Sequence, residues 1–77
     1  MAKFNGHKNW NHWNVSLWIN NDEGLYREAM HHFRTTKTLD EAARRLAGDL
    51  AGQQTPDGAP FTYTTIRAAM RGYDMPY

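Results

Sequence analysis

The sequence predicts an all-α fold, a small bundle of three to four short helices. Three observations carry this. Two segments, 25–33 and 39–50, repeat apolar residues at the 3–4 spacing of an amphipathic helix. A helix-start signal precedes each of them. Outside one ambiguous stretch no segment reads as a strand, and a lone strand leaves its N–H and C=O ladder unpaired.

The ambiguous stretch comes first. "HKNWNHWNVSLWIN", residues 7–20, holds three Trp and four Asn. Read as a strand, Trp13, Val15, Leu17 and Ile19 alternate with Asn14, Ser16 and Trp18. That gives the alternative, an α+β fold with a Trp-rich strand at 12–19 that pairs with its own copy in a dimer. Read as a helix, Trp10, Trp13 and Leu17 share a face, Val15 and Ile19 lie roughly opposite, and Trp18 falls between. Such a helix is apolar nearly all round and belongs between others. Asn9 is a good N-cap, and this favours the helix. The expectation is that the Trp cluster fills the core. Trp18 stands apart from that cluster and is the candidate surface aromatic.

In "LYREAMHHF", Leu25, Tyr26, Ala29, Met30 and Phe33 cover one arc, and Arg27, Glu28 and His31 the other. Asn21 or Asp22 can cap this helix, which spans about 22–34. The next, at about 38–51, opens on Thr38 and Glu41, spaced as a capping box. Leu39, Ala42, Ala43, Leu46 and Leu50 form its apolar stripe, with Arg44 and Arg45 facing away. Gly52 is a plausible stop. "QQTPDGAP" is the one strong loop. In "YTTIRAAMRGY", Ile66, Ala69, Met70 and Tyr73 share one face, while Arg67 and Arg71 stack at i, i+4 on the other. Pro76 forbids continuation.

The 77 residues read as a single domain, 1–77, with 1–8 an arm and 74–77 a tail. A domain this small buries only about 60% of the surface its unfolded chain exposes, so it needs a further source of stability. There is no Cys, which removes disulfides and thiolate chemistry and suits a reducing compartment. Aromatic burial and self-association as a homodimer are what remain. No leader-like h-region stands at the start, and no apolar run approaches the ~20 residues of a membrane span. A bacterial cytoplasmic location and no membrane partner are therefore expected. A net charge of +1 is too balanced for a strongly basic nucleic-acid binder.

Catalytic signals are missing. Ser16 is the only Ser and has no Gly-x-Ser-x-Gly frame. The glycines form no phosphate-cradling loop. His31 and His32 are neighbours on a helix and diverge by about 100°. No His-x₃-His pair exists. The reading is a non-enzyme with no cofactor and no metal.

"NWNHWNVSLWINNDEGLYREA" resembles the signature of a family of short proteins from phages and bacteria. Asn9, Trp10, Trp13, Asn14, Val15, Ser16, Leu17, Trp18, Asn20, Asp22, Glu23 and Tyr26 match it. Asn11 and His12 stand where that pattern has Glu-Thr. The likeness covers about a third of the chain, roughly residues 5–30. It implies a context, a small soluble product of a mobile element in a bacterial cell, and carries over no catalytic residue.

From this, the expected function is non-catalytic binding that sterically blocks a host protein complex. By class analogy, the first target is a CRISPR–Cas effector, which makes the chain an anti-CRISPR-type inhibitor. Trp18, Arg44, Arg45, Arg67 and Arg71 are the expected partner contacts. The alternative is a DNA-binding regulator built on 38–73. There "TLDEAARRLAG" resembles the first helix of a helix-turn-helix and "YTTIRAAMRG" its recognition helix. The long, Pro-containing link departs from the usual turn of about three or four residues.

Overall fold

The computed structural model describes residues 7–73, so most of the expected arm at 1–8 and the whole tail at 74–77 lie outside it. Four helices follow in order: α1 (Trp10–Asn21), α2 (Glu23–Thr35), α3 (Leu39–Asp49) and α4 (Tyr63–Ala69). No strand forms among the described residues, and an isolated bridge joins Gln54 and Pro60. Each helix packs on its chain neighbour, and α4 closes the ring against α1. No described helix is long and apolar enough to cross a membrane.

The caps explain the boundaries. The Asn9 side chain accepts the His12 N–H at 3.0 Å and starts α1. Asp22 serves two helices. Its N–H donates to the Trp18 carbonyl (2.9 Å), completing α1, and its Oδ1 accepts the Leu25 N–H (3.0 Å), opening α2. A single non-helical residue therefore turns the chain. Thr38 accepts the Glu41 N–H at 3.1 Å. Glu41 does not return to the Thr38 N–H as a capping box would; it accepts from Lys37 N at 3.4 Å. A complete box does form at α4, where Thr62 and Thr65 each accept the other's backbone N–H.

The core is Val15 and Ile19 of α1, Ala29 of α2, Leu39, Ala42, Ala43 and Leu46 of α3, Ile66, Ala69 and Met70 from the α4 region, and Ala59 and Phe61 of the loop. The α3 stripe is buried as its spacing predicts, with Leu50 at its margin. On α2 only Ala29 is fully buried; Leu25 and Phe33 pack partly on the core, and Tyr26 stays 43% exposed.

The Trp-rich stretch corrects the sequence reading in its orientation. It is a helix, not a strand, but the face expected inside is outside. Trp10 and Leu17 are 39% and 40% exposed, while Val15 and Ile19 are fully buried. An all-round apolar helix gives periodicity no way to choose a face. A polar residue chooses instead. Asn14, 1% exposed, accepts from Thr55 Oγ1 at 2.6 Å and donates to Asp57 Oδ2 at 2.9 Å. Thr55 Oγ1 also accepts the Ala59 N–H at 3.0 Å. The loop carrying Thr55 and Asp57 turns at Gly58, whose φ of 99° disfavours any residue with a Cβ. A buried amide without partners costs roughly 1–3 kcal/mol, so Asn14 must face this loop.

Candidate functional site

A cleft of about 820 Å³ lies between α1, α2 and the turn after α4. Gly72 builds that turn. Its φ of 98° bends the chain back, and the Tyr73 N–H donates to the Met70 carbonyl at 3.1 Å. Tyr73 thereby reaches across the molecule. Its hydroxyl donates to Asn20 Oδ1 at 2.5 Å. Asn20 Nδ2 in turn bonds the Ala69 carbonyl and Ser16 Oγ, both at 3.2 Å. The Tyr73 ring meets Phe33 at 5.9 Å and Tyr26 at 6.2 Å, both edge-on. Burial, seconded by Tyr26, pushes the Tyr73 hydroxyl up to about 12.

Around this aromatic wall stand His7, Ser16, Asn20, Met30 and Arg71. Arg71 is exposed and has no carboxylate partner among the described residues. The His12 imidazole is held below its ordinary value by burial first, then by Lys8, His7 and Arg71. His7 Nδ1 is buried with no hydrogen-bond partner among the described residues. Tyr26 and Met30 also line a second concavity with Glu23, Arg27, His31 and Arg34. Here Arg27 is paired with Glu23 at 2.9 Å, while Arg34 has no such partner among the described residues. The two concavities thus share an aromatic and thioether ridge, with an arginine at each side that has no carboxylate partner among the described residues.

The residues singled out from sequence separate into distinct places. Arg71 belongs to the cleft. Trp18 is half-buried, and its indole N–H donates to Asp57 Oδ2 at 3.0 Å. It is less free than Trp10, which is the exposed Trp of the helix. The bonds from Asn14 and then Trp18 hold the Asp57 carboxyl below its ordinary value. Arg67 donates to Asp40 Oδ1 at 2.6 Å. Tyr63 bonds the same oxygen at 3.3 Å, and Arg44 stacks over the Tyr63 ring at 4.7 Å. These four residues tie α4 to the first half of α3. The Arg67 bond leads in holding the Asp40 carboxyl below its ordinary value. Arg45 pairs with Glu41 at 3.4 Å on the exposed face of α3.

The geometry also gathers groups that sequence spacing missed. Glu28, His32 and Asp49 bring one ligand atom each within 4.8 Å of one another. Glu28 and His32 share a helix face at i, i+4, a signal present in the sequence. Asp49 joins them only through the packing of α3 on α2. Tyr26 and Tyr73, which the sequence places on apolar faces, both line the cleft, and Tyr73 also packs against the core.

Residues 1–73 match a family of unknown function (DUF7249), and the chain belongs to that family. No curated protein and no solved structure matches it.

Proposed function

We propose that this member of the family is a non-catalytic binding protein that seats an acidic segment of a host protein complex in the cleft and blocks that complex sterically. The observation that carries this is the placing of Arg71 and Arg34, neither with a carboxylate partner among the described residues, beside the ridge of exposed Tyr26 and half-buried Met30. Aromatic, Met and Arg side chains are the types enriched at protein interfaces. A cation placed beside apolar rings favours an anionic, partly apolar partner. The only Ser, Ser16, bonds Asn20 rather than a base, which supports a binding role over nucleophilic catalysis.

The likeness of residues 5–30 to short phage and bacterial proteins supplies the context, and CRISPR–Cas effector complexes are the first target class to try. The DNA-binding alternative draws less support from the geometry. Its leading contact, Arg67, is engaged by Asp40, and residues 50–62 separate α3 from α4.

The test is an affinity pull-down of the tagged protein from bacterial lysate, with and without nuclease, read by mass spectrometry. The expected result is a defined protein complex that survives nuclease and is lost on Arg71→Glu combined with Tyr26→Ala. Recovery of nucleic acid alone, lost on nuclease treatment, overturns the proposal in favour of a DNA-binding regulator.

A further inference from the structure

The structure assigns Glu28, His32 and Asp49 as a site for one divalent first-row transition metal ion that staples α2 to α3. None of the three lines the cleft, so the inference stands apart from the binding reading above.

Three features argue for a metal. The first is placement. One carboxylate oxygen each from Glu28 and Asp49 and one His32 ring nitrogen lie within 4.8 Å of one another. Ligand atoms on a common Zn²⁺, at bond lengths of ~2.0–2.2 Å, stand roughly 3–4 Å apart. Glu28 is exposed and Asp49 is half-exposed at the end of α3. Both carboxylates are on exposed side chains, which are free to rotate toward the imidazole.

The second is orientation. The His32 side chain is only 13% exposed. Its Nε2 sits 2.6 Å from Asp49 Oδ2, and its ring packs edge-on against His31 at 5.5 Å. A half-buried imidazole already aimed at a carboxylate loses little freedom on binding an ion. The ion takes the place of the hydrogen that His32 and Asp49 share. Core packing of Ala29 and Phe33 on α2 with Leu46 on α3 holds the two backbones in register.

The third is donor chemistry. One imidazole nitrogen with two carboxylates suits Zn²⁺, Co²⁺ or Ni²⁺. Mg²⁺ and Ca²⁺ prefer oxygen donors alone. Three protein ligands leave further positions to water, as in open zinc sites. The consequence is structural. A chain without Cys has no disulfide to join its helices, and an ion bound only by the folded state raises stability with the logarithm of its concentration above the dissociation constant.

The experiment is a Zn²⁺ titration of the full chain, freed of any affinity tag, by calorimetry at neutral pH, with thermal melts in parallel. We expect one ion per chain and a melting temperature raised by several degrees. Glu28→Gln and Asp49→Asn should each weaken binding about tenfold or more and remove the thermal shift. Glu28→Gln should leave the metal-free melt unchanged, because Glu28 forms no hydrogen bond or ion pair among the described residues. His12→Gln should bind as the parent does. Absence of saturable binding at millimolar Zn²⁺ overturns the proposal. So does undiminished binding by both carboxylate variants, which would place the ion elsewhere.

Discussion

Helices α1 and α3 bury similar numbers of residues by different means. On α3 the apolar residues recur on one stripe, and Leu39, Ala42, Ala43 and Leu46 all go inside. On α1 apolar residues surround the axis, and the buried set is Asn14, Val15 and Ile19. Hydrophobic patterning orients a helix only when it is lopsided. When it is not, a polar residue with fixed demands decides, and the bulkiest apolar residues can be left outside. Asn14 has that role because Thr55 and Asp57 are the groups that satisfy it.

The largest effect should come from the patterned side of this comparison. Leu46 is fully buried, so Leu46→Ala should cost about 2–5 kcal/mol in urea denaturation. A smaller but clear loss is expected on the α1 side from Thr55→Val. That change deletes the donor to Asn14 and the acceptor for the Ala59 N–H. The cost should be about 1–3 kcal/mol, and a value near zero would mean that the loop does not hold α1.

The same contrast shows how far the sequence could be read. The all-α class, the caps at Asn9, Asp22 and Thr38 and the stripe of α3 all follow from local rules, because each depends on residues a few positions apart. The burial of Thr55, Ala59 and Phe61 in a Pro- and Gly-rich loop was not legible. It depends on contacts forty residues away in sequence, such as Thr55 with Asn14. The cleft was half legible. Arg71 stands out by its i, i+4 spacing to Arg67, but only the turn at Gly72 brings Tyr73 back to Asn20. Arg67 and Arg71 looked equivalent on the helix wheel; in the fold one is paired with Asp40 and the other lines the cleft.

Two pH effects sharpen the comparison further. Asp57 and Asp40 are both held below their ordinary carboxyl value of 3.8. A depressed folded value adds stability above the unfolded value and loses it as pH falls through the folded one. Urea midpoints should therefore drop as pH falls below about 4, and Asp57→Asn should flatten that drop. Tyr73 behaves in the opposite sense. Its hydroxyl is raised from 10.0 to about 12, so its contribution is complete below pH 10 and fades as pH rises toward 12. Ultraviolet titration should show one tyrosine ionising late, near pH 12. Tyr73→Phe should remove that step with the smallest change in neutral-pH stability of this set.

The most direct test of the central claim, that a polar clasp rather than the Trp cluster orients α1, is one pair of urea denaturation curves. Asn14→Ala is set beside the double variant Trp10→Ala, Leu17→Ala. The account predicts that Asn14→Ala costs about 1–3 kcal/mol, while the double variant, on a face about 40% exposed, costs at most about 1 kcal/mol. A double variant that unfolds beside a neutral Asn14→Ala would put the Trp face inside and contradict the account.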